Sequence, residues 1–148
     1  MEITIWHAFA FLLILKISST ISYKIFSLFF DDRKTFWIVE DSTLDRVIYQ
    51  NYLDSTKYHI KYYTSLSNLG WRVILERPAG VIVDYCLPGV CGEELYRHCK
   101  QNKTPAIIVT GLPKRFINIQ ESDLVIKDAR HSHLEKVKNW IQSQVLAA

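Results

Sequence analysis

The chain has 148 residues, enough for one domain with a modest core, and 49% of them are hydrophobic, so a globular interior is expected. Its net charge of +3 is too small to argue for nucleic-acid binding. Three cysteines, Cys86, Cys91 and Cys99, form no C-x-x-C pair, which argues against a disulfide framework or a zinc site and suits a reducing compartment.

The first element is apolar. Ile3 to Leu15 is almost wholly hydrophobic before Lys16 interrupts. This run falls short of the ~20 residues of a membrane span. Lys16, Thr20, Tyr23, Ser27 and Asp31 then recur at helical spacing, so the second half reads as amphipathic. Three readings stand for residues 1–34: a span or anchor contacting membrane through residues 3–30, a helix packing on the domain or on a second copy as a homodimer, or a minor extension. The start carries Glu2 and lacks a basic region, against a cleavable signal peptide. Asp31-Asp32-Arg33-Lys34 is a charged linker, and the domain proper is predicted over 35–148.

Within that domain, apolar runs alternate with helical patterns. Phe36 to Val39 reads as strand one, ending in Glu40-Asp41-Ser42. Ser42 is a plausible N-cap for a helix through about Leu53, with Leu44, Val47, Ile48 and Tyr52 as its apolar face. Tyr58 to Tyr63 reads as strand two. Ser65 to Glu76 reads as helix two, with Leu66, Leu69, Val73 and Ile74 inward and weakened by Gly70. Val81 to Val83 is a buried strand ending in Asp84, followed by a Leu87-Pro88-Gly89 turn. Glu93 to Gln101 forms helix three, with Leu95 and Cys99 inward. Strand four, Ala106 to Val109, ends in Thr110. Strand five, around Leu124 to Ile126, ends in Lys127. A last helix begins at Ser132-His133-Leu134-Glu135, which fits a capping box, and buries Leu134, Val137, Ile141 and Val145. His131 and His133 beside it read as solvated loop residues.

Strands apolar on both faces and separated by helices predict a parallel sheet covered on both sides. Ligands of such folds sit outside the carboxyl ends of the strands. Glu40, Asp41, Asp84, Thr110 and Lys127 would then share one rim. Three close carboxylates repel one another unless a cation neutralises them. Oxygen donors with room for water suit Mg²⁺. A carboxylate can accept a phosphoryl group, and a lysine and a hydroxyl can stabilise it.

This constellation resembles the receiver domain of two-component response regulators, in particular single-domain receivers like the chemotaxis regulator. The resemblance covers roughly Thr35 to the C-terminus. Glu40-Asp41-Ser42 with Arg46 looks like the acidic pair after strand one. Asp84, with Pro88 at +4 and Gly92 at +8, matches the phosphoacceptor motif; Thr110 and Lys127 match the hydroxyl and lysine after strands four and five. The resemblance implies a flavodoxin-like (βα)5 doubly wound α/β fold with strand order 2-1-3-4-5. It also implies that Asp84 takes phosphate from a histidine kinase or histidine phosphotransfer protein. Mg²⁺ would be held by Glu40, Asp41, Asp84 and the backbone carbonyl of Cys86. The implied output is contact with a downstream protein partner, without enzymatic activity beyond self-phosphorylation and autodephosphorylation. The implied location is cytoplasmic, tethered to the inner membrane face if residues 3–30 meet lipid.

Three departures stand out. Only 17 positions separate Thr110 from Lys127, so helix four is expected to be short or replaced by a loop. Strand five has Leu124 and Val125 where such domains often carry an aromatic switch. Asp128 follows Lys127 where they usually carry Pro. These departures leave open a degenerate receiver serving as a scaffold or dimerisation module. An aspartate-nucleophile phosphatase would want an acid at Cys86, and a flavin protein a phosphate loop at Glu40-Asp41; both are disfavoured. The last helix is predicted to run close to Ala148, so no separate output domain is expected after it. Cys86 and Leu112 offer no amide or carboxylate to orient water, so a phosphoryl group is expected to last minutes or longer.

Overall fold

Runs that are apolar at nearly every position have no polar face to offer water, so they become strands covered on both sides. A computed structural model of the chain describes residues 35–53, 58–70 and 72–147. Its main strands are β1 (Thr35–Val39), β2 (His59–Tyr63), β3 (Gly80–Asp84), β4 (Ala106–Thr110) and β5 (Leu124–Ile126). They pair in parallel in the order β2-β1-β3-β4-β5. Every residue of β1, β3 and β4 is buried, whereas β2, at the edge, is partly covered.

Side chains alternate across the sheet. Phe36, Ile38, Ile82, Ile107 and Val109 face helix α1 (Thr43–Leu53) and helix α5 (Ser132–Ala147) through Tyr49, Leu53, Leu134, Val137 and Ile141. Trp37, Val39, Val81, Val83 and Ile108 face the other way. There they meet Leu69 of α2 (Leu66–Leu69) and Leu95, Tyr96 and Cys99 of α4 (Gly92–Gln101). Each large side chain buried this way contributes about 1.5–3 kcal/mol. This is the parallel sheet covered on both sides that the alternation of runs predicts, in the doubly wound, flavodoxin-like strand order that the resemblance implies.

Several local expectations are corrected. Helix two is two short pieces, α2 and α3 (Arg72–Leu75). Gly70 lies between them at φ +49, a conformation that ends α2, and its N–H caps Leu66 O. Leu69 is buried and Leu66 and Val73 pack against the core; the side chain of Ile74 is outside the described set. On α1 the inward face is Tyr49 and Leu53 with Ile48 and Tyr52. Leu44 is 70% and Val47 45% exposed, because the helix is rotated to bring Asp45 to the rim of the sheet. Val145 is exposed because α5 outruns the sheet beyond Ile141. The capping box does not form: Ser132 N–H and hydroxyl both donate to Asp128, and Glu135 accepts from Tyr52. His133 is buried, not solvated; Asp128 N–H donates to its Nδ1, and burial lowers its pKa.

Between β4 and β5 the expected short fourth helix is two single 3₁₀ turns, Lys114–Phe116 and Glu121–Asp123. After β3 a two-stranded ribbon, Cys86–Leu87 with Val90–Cys91, leads into α4. The N-terminal segment, with its readings as an extra helix, membrane contact or dimer element, lies outside the described residues. Among the described residues no helix is long and apolar enough to cross a membrane.

Candidate functional site

The carboxyl ends of β1, β3 and β5 bring together Glu40, Asp41, Asp84 and Lys127. Carboxylate oxygens of Glu40, Asp41 and Asp84 all lie within 4.8 Å of one another. Lys127 Nζ stands 2.7 Å from Glu40 Oε2 and 3.3 Å from Asp84 Oδ1. It also stands 2.7 Å from Asp45 Oδ2, in the first turn of α1. Lys127 is carried there by the sheet itself, since its N–H donates to Thr110 O at 2.7 Å and extends the β4–β5 pairing.

Local chemistry holds the acids in place. Arg46 Nη1 donates to the carbonyls of Glu40 at 2.8 Å and Asp41 at 2.7 Å, pinning the backbone of the acidic pair. Ser42 caps α1 by accepting from Asp45 N–H, and its own N–H donates to Glu40 Oε1 at 3.2 Å. Cys86 N–H donates to Asp84 Oδ2 at 3.1 Å. Gly92 N–H donates to Tyr85 O at 2.9 Å, drawing the start of α4 against β3. A Cβ on Gly92 would lie 1.9 Å from the Asp84 carbonyl oxygen, so only glycine permits this approach.

Burial dominates the electrostatics. It raises the pKa of Asp84, with Lys127 pulling the other way. It also raises Glu40, again opposed by Lys127, with the Asp84 charge adding to the rise. Burial works against the charge on Lys127, but its bonds to Asp45 and Glu40 and the nearby Asp84 outweigh it, and its pKa rises. The ammonium is therefore held charged among acids that are costly to ionise. Tyr49, buried beneath, feels the same four charged groups.

Of the residues expected on the rim, Glu40, Asp41, Asp84 and Lys127 converge. Thr110 ends β4 one residue beyond Val109, the register partner of Asp84; it is fully buried, and its Oγ1 accepts from Leu112 N–H at 3.1 Å. Cys86 reaches Asp84 through its amide. Asp45 went unnoticed as a site residue. Its signal was its place in the first turn of the helix that follows the acidic pair, which points it at the same rim.

The carboxylates of Glu40, Asp45 and Asp84 stand against the Lys127 ammonium, Asp41 joins Glu40 and Asp84 in the cluster, and the Arg46 guanidinium holds the backbone of the acidic pair. The donors are all oxygen, and Glu40 and Asp84 are buried. This set fits a hard divalent cation such as Mg²⁺.

No family model matches the chain, and no curated protein matches it. Solved structures do. A response regulator receiver domain from Methanospirillum hungatei JF-1 is 21% identical, with a TM-score of 0.58 over 78% of this chain and 98% of that one. The receiver domain of a signal transduction histidine kinase from Syntrophus aciditrophicus is 20% identical, with a TM-score of 0.64 over 78% and 92%. The receiver domain of the PhyR response regulator from Erythrobacter litoralis is 21% identical, with a TM-score of 0.62 over 78% and 92%. At such identities the likeness speaks to architecture, and that architecture agrees with the strand order and rim found here. The described part of the chain has the fold of response regulator receiver domains.

Proposed function

We propose that residues 35–148 are a phosphoacceptor receiver of a two-component phosphorelay, with Asp84 as the phosphorylated residue. The observation that carries this reading is the Lys127 ammonium set between Asp84 and Glu40, beside three carboxylates close enough to share one cation. An oxygen of Asp84 attacks the phosphorus of a phosphohistidine on a histidine kinase or phosphotransfer protein. The phosphorus–nitrogen bond breaks, and the imidazole leaves with the electron pair and takes a proton. Lys127, 3.3 Å from Asp84 Oδ1, pairs with the new phosphoryl charge. Thr110 accepts a backbone bond but keeps its own proton to donate to a phosphoryl oxygen. Glu40, Asp41, Asp84 and the Cys86 carbonyl would hold Mg²⁺, which would supply charge neutralisation there. The phosphoryl group persists for minutes or longer, since neither Cys86 nor Leu112 orients water. The output is altered contact with a protein partner.

The test is intact-mass spectrometry of the full chain after incubation with acetyl phosphate, with and without Mg²⁺. One phosphoryl group should appear only with Mg²⁺ and vanish in Asp84→Asn. Persistent labelling of that variant would sink the assignment. A second reading, a degenerate receiver acting as a constitutive scaffold, draws support from the two 3₁₀ turns between β4 and β5 and from Val125 in β5. A folded protein that takes no label under any of these conditions would favour it.

A further inference from the structure

We infer that Cys86 and Cys91 form a thiol–disulfide redox site on the ribbon that follows Asp84. The ribbon pairs Cys86 with Cys91 and Leu87 with Val90, antiparallel, around a Pro88-Gly89 turn. One step further out, Gly92 N–H donates to Tyr85 O at 2.9 Å, so Tyr85 and Gly92 occupy a hydrogen-bonded position. Such positions alternate along an antiparallel ladder, which makes Cys86–Cys91 a non-hydrogen-bonded pair. Residues of that kind have Cα atoms about 4.5 Å apart and side chains on one face. A disulfide spans Cα separations of about 4.4–6.8 Å.

Access and order also fit. Both thiols are free; Cys86 is exposed and Cys91 half-buried behind it, with its Sγ against Tyr85 O at 3.5 Å. Cys99 is buried on the inner face of α4, among the core residues of that side. A small disulfide oxidant, such as oxidised glutathione, therefore meets Cys86 first. The Cys86 thiolate attacks one sulfur of the oxidant, forming a mixed disulfide and releasing one thiol. Cys91 then attacks Cys86 Sγ and releases the second thiol. The two cysteines lose two electrons and two protons, and the oxidant gains both as two free thiols. The bridge closes a loop of only six residues, 86–91, so it adds little stability by constraining the unfolded chain. An exposed bridge in a reducing compartment is the labile kind.

A regulatory consequence rests on the phosphoacceptor reading. Cys86 N–H holds Asp84 Oδ2, and Cys91 immediately precedes α4. Closing the bridge fixes the backbone around the acceptor and slows its phosphorylation.

The experiment treats the full chain with oxidised glutathione, then digests it with trypsin without reductant. The peptide 73–97 contains both Cys86 and Cys91, because the Arg77–Pro78 bond resists cleavage; Cys99 falls in 98–100. That peptide should be lighter by two hydrogens and regain them with dithiothreitol, and Cys86→Ser should prevent the loss. No loss, or linkage to Cys99 or between chains, overturns the site. Acetyl phosphate labelling should then be several-fold slower in the oxidised form. Equal rates overturn the regulatory half alone. Absence of label in both forms, with the bridge formed, overturns the phosphoacceptor reading and leaves the redox site standing.

Discussion

The two halves of the sheet's carboxyl edge are built to different standards. Around β1 and β3, each acid is fixed by its own neighbours: Arg46 on the Glu40 and Asp41 carbonyls, Ser42 on Glu40, Cys86 on Asp84. Between β4 and β5, two 3₁₀ turns replace a helix, Phe116 is 60% exposed, and Lys114 pairs with Glu121 at the surface. That half is tied down mainly at its end. There Asp123 accepts from Tyr96 hydroxyl at 2.6 Å and Lys100 Nζ at 2.8 Å, while midway along the segment Ile117 is buried. Binding a small charged group demands fixed oxygens, whereas a surface that meets other proteins can be assembled from short turns. The comparison implies that damage to the first half spreads to the whole domain and damage to the second stays local.

The largest effect should come from Gly92→Ala. The added Cβ would overlap the Asp84 carbonyl oxygen, and backbone must move to relieve it. We expect a loss of about 3 kcal/mol in urea denaturation, the upper part of the overpacking range, together with disturbed labelling of Asp84. A neutral result would mean that the β3–α4 approach is softer than described.

Lys127→Ala comes next. It leaves Glu40 and Asp84 buried without their shared cation. About 2 kcal/mol should be lost at pH 7. The loss should shrink as pH falls and the two acids take up protons.

Asp84→Asn tests the same electrostatics with the opposite sign. Burial raises the Asp84 pKa, so the folded protein binds a proton more readily than the unfolded chain, and ionised Asp84 opposes folding. This penalty is absent below the ordinary aspartate range and complete above the raised folded pKa. Without divalent cation, the variant should therefore be stabilised relative to wild type at pH 7, and the advantage should fade on acidification. A difference independent of pH would show that Asp84 is not strained by burial.

In the second half, Asp123→Ala removes the bonds to Tyr96 and Lys100. A loss of about 1 kcal/mol is expected, with Asp84 labelling unchanged. Lys114→Ala should leave the denaturation midpoint unmoved, because its partner Glu121 is in solvent. If either change altered labelling as strongly as Lys127→Ala, the contrast between the halves would fail.

Strands β1, β3 and β4 were legible because burial on both faces demands unbroken apolar runs, and each of them ends in the residue it delivers to the rim. Glu40, Asp41, Asp84 and Lys127 were legible for the same reason. Helix faces were not. Leu44 and Val47 look like the buried side of α1, yet Tyr49 and Leu53 occupy it. Apolar spacing admits more than one rotation of a helix, and packing against α5 and the sheet selects one. Val145 and the capping-box Glu135 misled similarly, since where α5 outruns the sheet and which partner Glu135 meets depend on distant residues.

By itself the sequence determined the five strands of the main sheet among the described residues, in what order their ends carry acid, hydroxyl and amine, and that 17 positions are too few for a full fourth helix. Those are matters of local pattern and chain length. The tertiary structure alone decided that Asp45 shares Lys127, that Asp128 and not Ser132 begins the capping of α5, that His133 is buried, and that Cys86 faces Cys91. Each of these depends on which groups a folded chain brings within about 3–5 Å, and pairing at that range is set by the packing of whole elements, not by neighbours in sequence.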